Sequence, residues 1–200
     1  MSLRFIKKIG AEIRDYFEDF AKLRMTVFKE YPYLYEGSLE YELEYLETYT
    51  KSEKAFLFAV YDGEQMVGAT TAIPFSDETE ELKKSLLNQS IEIDKIFYFG
   101  ESILLKEYRG LGLGHRFMDE RESHAKSFKE YTHTAFCSVI RPEDHPLRPE
   151  NYRPNDSFWI KRNYKKQDNW TTKMEWIDID SSISTYKPMI FWMKAIESKL

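Results

Sequence analysis

Apolar positions along the chain alternate between two spacings, and these predict its elements. Residues 4–9 read as a short strand. From Ala11 to Lys29, Ile13, Phe17, Phe20, Leu23 and Val27 recur every three or four residues, the pattern of an amphipathic helix that Pro32 closes. After a turn over 31–37, Leu39, Leu43 and Leu46 with Tyr41, Tyr45 and Tyr49 mark a second helix. Its glutamates, Glu36, Glu40, Glu42, Glu44 and Glu47, read as one solvated face. Runs over 54–61 and 65–75 are β-rich and flank Asp62-Gly63-Glu64, a hairpin signal. The highly charged segment 76–94 carries Leu82, Leu86 and Leu87 at helical spacing, with Asp77 and Glu80 as a capping pair, and reads as a helical insertion.

A short apolar run, Ile103-Leu104-Leu105, then precedes three glycines, Gly110, Gly112 and Gly114, and a helical pattern that lasts to about Lys126. Residues 132–140 form a buried strand. The stretch 141–156 holds four prolines, Pro142, Pro146, Pro149 and Pro154, which favour an ordered loop, either a rigid connector or a ligand-binding segment that uses its arginines. A short helix over 155–162, with Phe158 and Trp159 inward, leads into strands at 170–179 and 187–196. Without repeats or linkers, 1–200 reads as one domain with its insertion at 76–94.

Composition narrows the class. With 42% hydrophobic and 16% aromatic residues the chain can fill a core. Its net charge of −5 argues against a nucleic-acid binder, which needs basic surface. No stretch approaches the roughly 20 apolar residues of a membrane span, and the N-terminus lacks a signal-peptide core, so a cytoplasmic protein is expected. The single cysteine, Cys137, excludes an internal disulfide, and Phe136 and Val139 around it predict a buried, inert thiol. His115, His124, His133 and His145 are too widely spaced for a metal site, and none is expected.

The strand–glycine–helix junction carries the chemistry. Amides of a first helical turn lack intrahelical acceptors and sit at the positive end of the helix dipole, and glycines let a diphosphate come close. A P-loop is excluded, because His115 and Arg116 follow Gly114. The dinucleotide fingerprint is excluded as well, because its third glycine would fall on His115 or Phe117. Arg-x-x-Gly-x-Gly does fit, at Arg109 to Gly114. With its apolar strand and the order of elements around it, this motif resembles that of the GNAT superfamily of acyl-CoA-dependent N-acyltransferases over nearly the whole chain.

The resemblance implies an α/β (α+β) fold: a mixed, mostly antiparallel twisted sheet of about seven strands, flanked by helices and splayed between strands four and five. It implies acetyl-CoA as donor and a primary amine as acceptor. It maps the pyrophosphate onto Arg109, Gly110, Leu111, Gly112, Leu113, Gly114 and His115, the pantetheine arm onto Ile103, Leu104 and Leu105, and a further cofactor contact onto Asn155. The first two helices would line the acceptor site. Glu101, beside Gly100 where a bulge would aim a carboxylate, is the candidate general base. Two features depart from the family pattern: the 76–94 insertion, and Trp159 at the place where many relatives carry a tyrosine that protonates the leaving thiolate. Tyr152 and Tyr164 are possible substitutes, and a non-catalytic acetyl-CoA-binding protein is the alternative reading. A homodimer contact is expected at an edge strand carrying Phe191 and Trp192.

Overall fold

The computed structural model of the chain describes residues 2–86 and 91–197. Eight strands form one sheet: β1 (Leu3–Ile9), β2 (Phe56–Asp62), β3 (Gln65–Pro74), β4 (Ile96–Tyr98), β5 (Ser102–Leu104), β6 (His133–Val139), β7 (Lys165–Ile177) and β8 (Ser184–Ala195). Their order is β1-β2-β3-β4-β6-β8-β7, with β5 also paired to β3. Every pairing is antiparallel except β4 with β6. Helices α1 (Phe17–Val27), α2 (Leu39–Thr50), α3 (Glu80–Lys84), α4 (Leu113–Ser127) and α5 (Asp156–Lys161) flank it.

Strand β2 is buried on both faces because its side chains alternate between two cores. Leu57, Ala59 and Tyr61 meet Phe20 and Leu23 of α1 and Leu46 and Tyr49 of α2. Phe56, Phe58 and Val60 meet Leu113, Phe117 and Met118 of α4 on the other side, where Phe158 and Trp159 of α5 also pack. The sheet thus separates an α1/α2 face from an α4/α5 face.

The fourth strand of the expected fold is interrupted, which gives eight strands where about seven are predicted. Strand β3 pairs with β4 through Ile73 and Pro74 and with β5 through Gly68 to Thr70, so β4 and β5 are two halves of one strand broken over 99–101. Strand β4 runs beside β6 only as far as Tyr98↔Ala135, followed by a bond from the Phe99 amide to the Ala135 carbonyl at 2.7 Å. Beyond Phe136, β6 pairs only with β8. The sheet opens there, at the expected splay.

Several boundaries and roles differ from expectation. Gly10–Tyr16 is a 3-10 helix, and the α-helix proper starts at Phe17. Glu42 is not solvated: it is 0% exposed and faces inward with Leu46 and Tyr49, four and seven residues on. In the insertion, Thr79 rather than Asp77 caps α3, accepting from the Leu82 amide at 3.5 Å, while Asp77 accepts from the Ser52 hydroxyl at 2.5 Å. Leu82 and Leu86 are buried; Leu87 lies outside the described residues. Strand β7 begins at Lys165, five residues before Trp170, because Lys165 pairs with Met193 although the segment is too polar to show a strand pattern. Phe191 and Trp192 are buried at 0% and 2% exposure on β8, an interior strand between β6 and β7, so the expected aromatic edge does not exist.

Gly100, inside the interruption, is required by close approach. A methyl there would overlap the Tyr49 hydroxyl and lie 2.8 Å from the Thr71 hydroxyl oxygen. Gly100→Ala is expected to cost about 1–3 kcal/mol, as over-packing does. Urea unfolding checks this, and a change within about 0.5 kcal/mol, typical of surface positions, would contradict the packing described.

Candidate active site

The interruption turns Glu101 into a buried junction between four elements. Its side chain enters the α1/α2 face, where Oε1 accepts from Arg24 of α1 and Oε2 from the Thr71 hydroxyl of β3 and, at 2.8 Å, the Tyr49 hydroxyl of α2. Its carbonyl accepts from the Thr71 amide at 3.0 Å, the Thr70 hydroxyl at 2.7 Å and Arg121 Nη1 of α4 at 3.3 Å. Arg24 also pairs with Glu42 through Nε and stands 4.6 Å from the centre of the Tyr45 ring. Burial lowers the Arg24 pKa, but the charges of Glu101 and Glu42 outweigh it and hold the guanidinium protonated. Glu101 therefore occupies the expected break without standing free as a base, because both its oxygens are engaged.

The insertion adds a further carboxyl to this face. Glu78 is 4% exposed; Oε2 accepts from the Thr79 amide at 3.1 Å, and Oε1 has no partner. Burial, reinforced by the Glu101 charge, pushes its pKa up to about 7. Cys137 lies 3.0 Å from the Tyr98 hydroxyl, and burial pushes its thiol up to about 12, as expected for an inert side chain.

The opening in the sheet exposes one edge of β5. The Thr71 amide bonds the Glu101 carbonyl and the Leu105 amide bonds the Val67 carbonyl at 2.9 Å, so odd-numbered residues face β3 and the backbone of Ser102 and Leu104 faces the gap. Of Ile103, Leu104 and Leu105, only Leu104 presents its amide there. Ser102, an exposed residue not singled out in the sequence, is its companion.

Gly110 and Gly112 adopt φ of 80° and 82°, the left-handed region that glycine tolerates, with nothing within 4 Å of where a Cβ would stand. The first helical bond of α4 runs from the Arg116 amide to the Gly112 carbonyl at 3.2 Å. Among the described residues no amide from Gly110 to His115 donates to a backbone carbonyl. Leu113 is buried and anchors the turn, while Leu111 is 56% exposed. Phe158 of α5 lies 3.9 Å from a Cβ built on Gly114 and edge-on to His115 at 4.9 Å, so the helix that exposed Asn155 opens borders the same loop. The Arg109 side chain turns away: it bonds the Leu104 carbonyl at 3.0 and 3.1 Å and both Glu30 oxygens at 2.8 and 3.0 Å, bracing the strand end.

Of the two possible substitute acids, Tyr164 is engaged. The Tyr164 hydroxyl lies 2.9 Å from the Thr134 hydroxyl and donates to Glu122 at 3.4 Å, and burial raises its pKa. Tyr152 packs edge-on against Tyr31 at 4.6 Å. Trp159 lies 5.0 Å from both Phe136 and Trp192. In the proline-rich loop Arg141 is committed to Asp178 at 2.8 and 2.9 Å and to the carbonyls of Pro32 and Tyr33 at 2.8 and 2.7 Å. That residue ties the loop to the α1–α2 connection.

No protein-family model matches the chain, and no curated protein matches its sequence. Solved structures do match. An N-acetyltransferase from Staphylococcus aureus Mu50 superposes with a TM-score of 0.60 over 97% of this chain and 99% of its own, at 11% identity. A ribosomal-protein-alanine N-acetyltransferase from Brucella melitensis gives 0.59 over 95% and 99%, at 10% identity. An acetyltransferase of the GNAT family from Streptococcus pneumoniae gives 0.57 over 97% and 100%, also at 10%. The fold is that of the GNAT acetyltransferases. Likeness at these identities establishes architecture alone. Among the described residues no three His, Cys, Asp or Glu side chains group as a metal site, and no helix is long and apolar enough to cross a membrane.

The residues missed in the sequence left partial signals. Arg24 and Glu42 interrupt apolar helical stripes, which marks a buried charge. Nothing along the chain ties Glu78 or Arg121 to Glu101.

Folding makes Glu78 a weaker acid. Its pKa rises from 4.5 to about 7 on folding, so from pH 4.5 to 7 the unfolded chain releases a proton that the folded chain keeps. Stability from this group is full below pH 4.5, falls as pH rises to 7 and then levels off, a loss on the order of 3 kcal/mol. Glu78→Gln removes the ionisation, so denaturation of the variant and the wild type should diverge over that window. Parallel pH curves would contradict it.

Proposed function

We propose that this chain is an acyltransferase that takes acetyl-CoA as donor and a primary amine of a small molecule or protein as acceptor. One observation carries the reading: the open edge of β5 is followed, after a single 3-10 turn over Lys106–Tyr108, by a run of amides, Gly110 to His115, without backbone acceptors. Such amides at the start of a fifteen-residue helix suit a diphosphate, and the empty space at Gly110 and Gly112 lets one approach. The Ser102 and Leu104 edge suits the amides of a pantetheine arm, with a Leu104 N–H positioned to polarise the thioester carbonyl. Arg109 contributes through its backbone, and His115 and Asn155 border the loop. The donor is the group to be transferred, and the chain's residues bind and orient it.

The opposite face suits the acceptor. Glu42 and Glu101 pair there with Arg24, and Glu78, with Lys83 also near it, adds a third buried carboxyl, an acidic setting that favours an ammonium. An amine with pKa of roughly 10.4 arrives protonated and must lose a proton before attack. Glu101 is the proposed base: the incoming ammonium takes the place of the Arg24 Nη1 donor at Oε1, while Arg24 keeps Glu42. A second reading, a non-catalytic acetyl-CoA-binding protein, is favoured by that same Arg24–Glu101 pair and by Trp159 in place of a tyrosine.

Calorimetry should show CoA binding to the wild type and at least a tenfold loss in Gly112→Asp, which places a carboxylate and a strained φ among the amides, with thermal unfolding confirming that the variant folds. No heat with the wild type would overturn both readings. Thiol release from acetyl-CoA across a panel of primary amines separates them: turnover that Glu101→Gln reduces at least a hundredfold, with CoA affinity retained, supports the enzyme. Tight CoA binding without turnover on any amine supports the binding protein.

A further inference from the structure

On the α4/α5 face one group is left unexplained. Arg121 of α4 is 3% exposed, and no carboxylate among the described residues forms an ion pair with it. Nη1 reaches the Glu101 carbonyl at 3.3 Å, Nη2 reaches Met118 Sδ at 2.8 Å, the guanidinium stands 4.4 Å from the centre of the Phe99 ring, and Nε has no partner. A buried cation without an ion pair is expensive: burial, only partly offset by the charges of Glu122 and Glu101, lowers its pKa to about 10, which still leaves it charged at neutral pH.

The charged and titratable groups around it do not neutralise it. Glu122, the next residue on α4, is held by Lys194 of β8 at 2.9 Å and by Arg162 at 3.4 Å. Tyr164 is bonded to Thr134 and Glu122, and burial keeps it protonated. Glu101 shows Arg121 only its carbonyl, its carboxylate being on the other face with Arg24 and Tyr49. The cation therefore sits beside the strand break where β5 and β6 part, in an aromatic setting of Phe99, Phe136 and Tyr164, which Trp159 adjoins.

We propose that Arg121 stabilises the coenzyme A thiolate as it leaves, the role that a tyrosine at the position of Trp159 would otherwise fill by donating a proton. This rests on the acyltransferase reading above. As the amine nitrogen bonds to the acetyl carbon, the C–S bond breaks and its electron pair stays on sulfur. The ammonium gives up two protons on its way to the amide: Glu101 takes the first before attack and the second leaves the new amide nitrogen for solvent water, so sulfur, departing as the thiolate, needs a positive neighbour and not a proton. The face selects this anion over a carboxylate on the acyl chain, because Arg121 belongs to the α4/α5 side, with the diphosphate loop, while the acceptor-side carboxylates lie across the sheet.

The test reads the sulfur itself. CoA and desulfo-CoA are titrated calorimetrically from pH 6.5 to 9, so that phosphate and adenine ionisations cancel in the ratio of affinities. If Arg121 lowers the thiol pKa by one unit from its usual value of roughly 8.5, the preference of the wild type for CoA rises about sevenfold over this range. The rise should vanish in Arg121→Gln and return, at least in part, in Arg121→Lys, with desulfo-CoA affinity unchanged as the check that both variants keep the site. A flat ratio in the wild type overturns the inference whether or not the variants fold, as does an equal rise in Arg121→Gln. If neither ligand binds the wild type, the acyltransferase reading fails first and takes this inference with it.

Discussion

Two arginines hold one residue from opposite sides of the sheet. Arg24 pairs with the Glu101 carboxylate on the α1/α2 face, and Arg121 bonds the Glu101 carbonyl on the α4/α5 face. With Tyr49, Thr70 and Thr71 as further donors, every oxygen of Glu101 is engaged, although the residue is only 5% exposed. A buried carboxylate is tolerated only when its lone pairs are met, and removing one partner of such a pair typically costs about 3–5 kcal/mol. The strand stays interrupted because Gly100 admits the Tyr49 hydroxyl and Glu101 is tied to it. Once the strand is broken, β5 follows β3 away from β6, and the gap opens.

Separation of charge between the two faces follows from the same junction. One face gathers Glu42 and Glu101 around the Arg24 guanidinium, with Glu78 buried on the same side; the other carries a guanidinium without an ion pair among aromatic rings. An acceptor that arrives positive and a leaving group that departs negative have opposite requirements, and the sheet keeps the two environments apart at the point where a thioester would bridge them. Arg109 adds rigidity by fastening Leu104 to Glu30, so that the last turn before the glycines has a fixed origin.

Much of this was legible in the sequence because it depends on local periodicity. Helical spacing marked α1, α2 and α4, the Asp62-Gly63-Glu64 signal marked the β2–β3 hairpin, and Gly100 beside Glu101 marked the irregular strand. What escaped depends on partners distant in the chain. Arg109 turns toward Glu30, seventy-nine residues away, and Glu101 meets Arg24, seventy-seven away, so neither side chain's direction could be read locally. The solvated reading of Glu42 failed because counting glutamates on α2 overlooked its place in the stripe with Leu46 and Tyr49. Strand β7 was shortened because its first residues are polar on an outer strand. The choice among Ile103, Leu104 and Leu105 was a matter of parity, set by the register with β3, and only pairing reveals it.

The central claim is that CoA binds along the edge of Ser102 and Leu104 and, past the 3-10 turn Lys106–Tyr108, at the amides of the glycine-rich turn. Amide hydrogen exchange followed residue by residue, with and without saturating CoA, tests it most directly, because it reports each backbone N–H separately. Slowed exchange at Ser102, Leu104 and the amides from Gly110 to His115, with Ile103 and Leu105 unchanged, is the predicted result. Protection confined to other parts of the chain, or none anywhere, would contradict it.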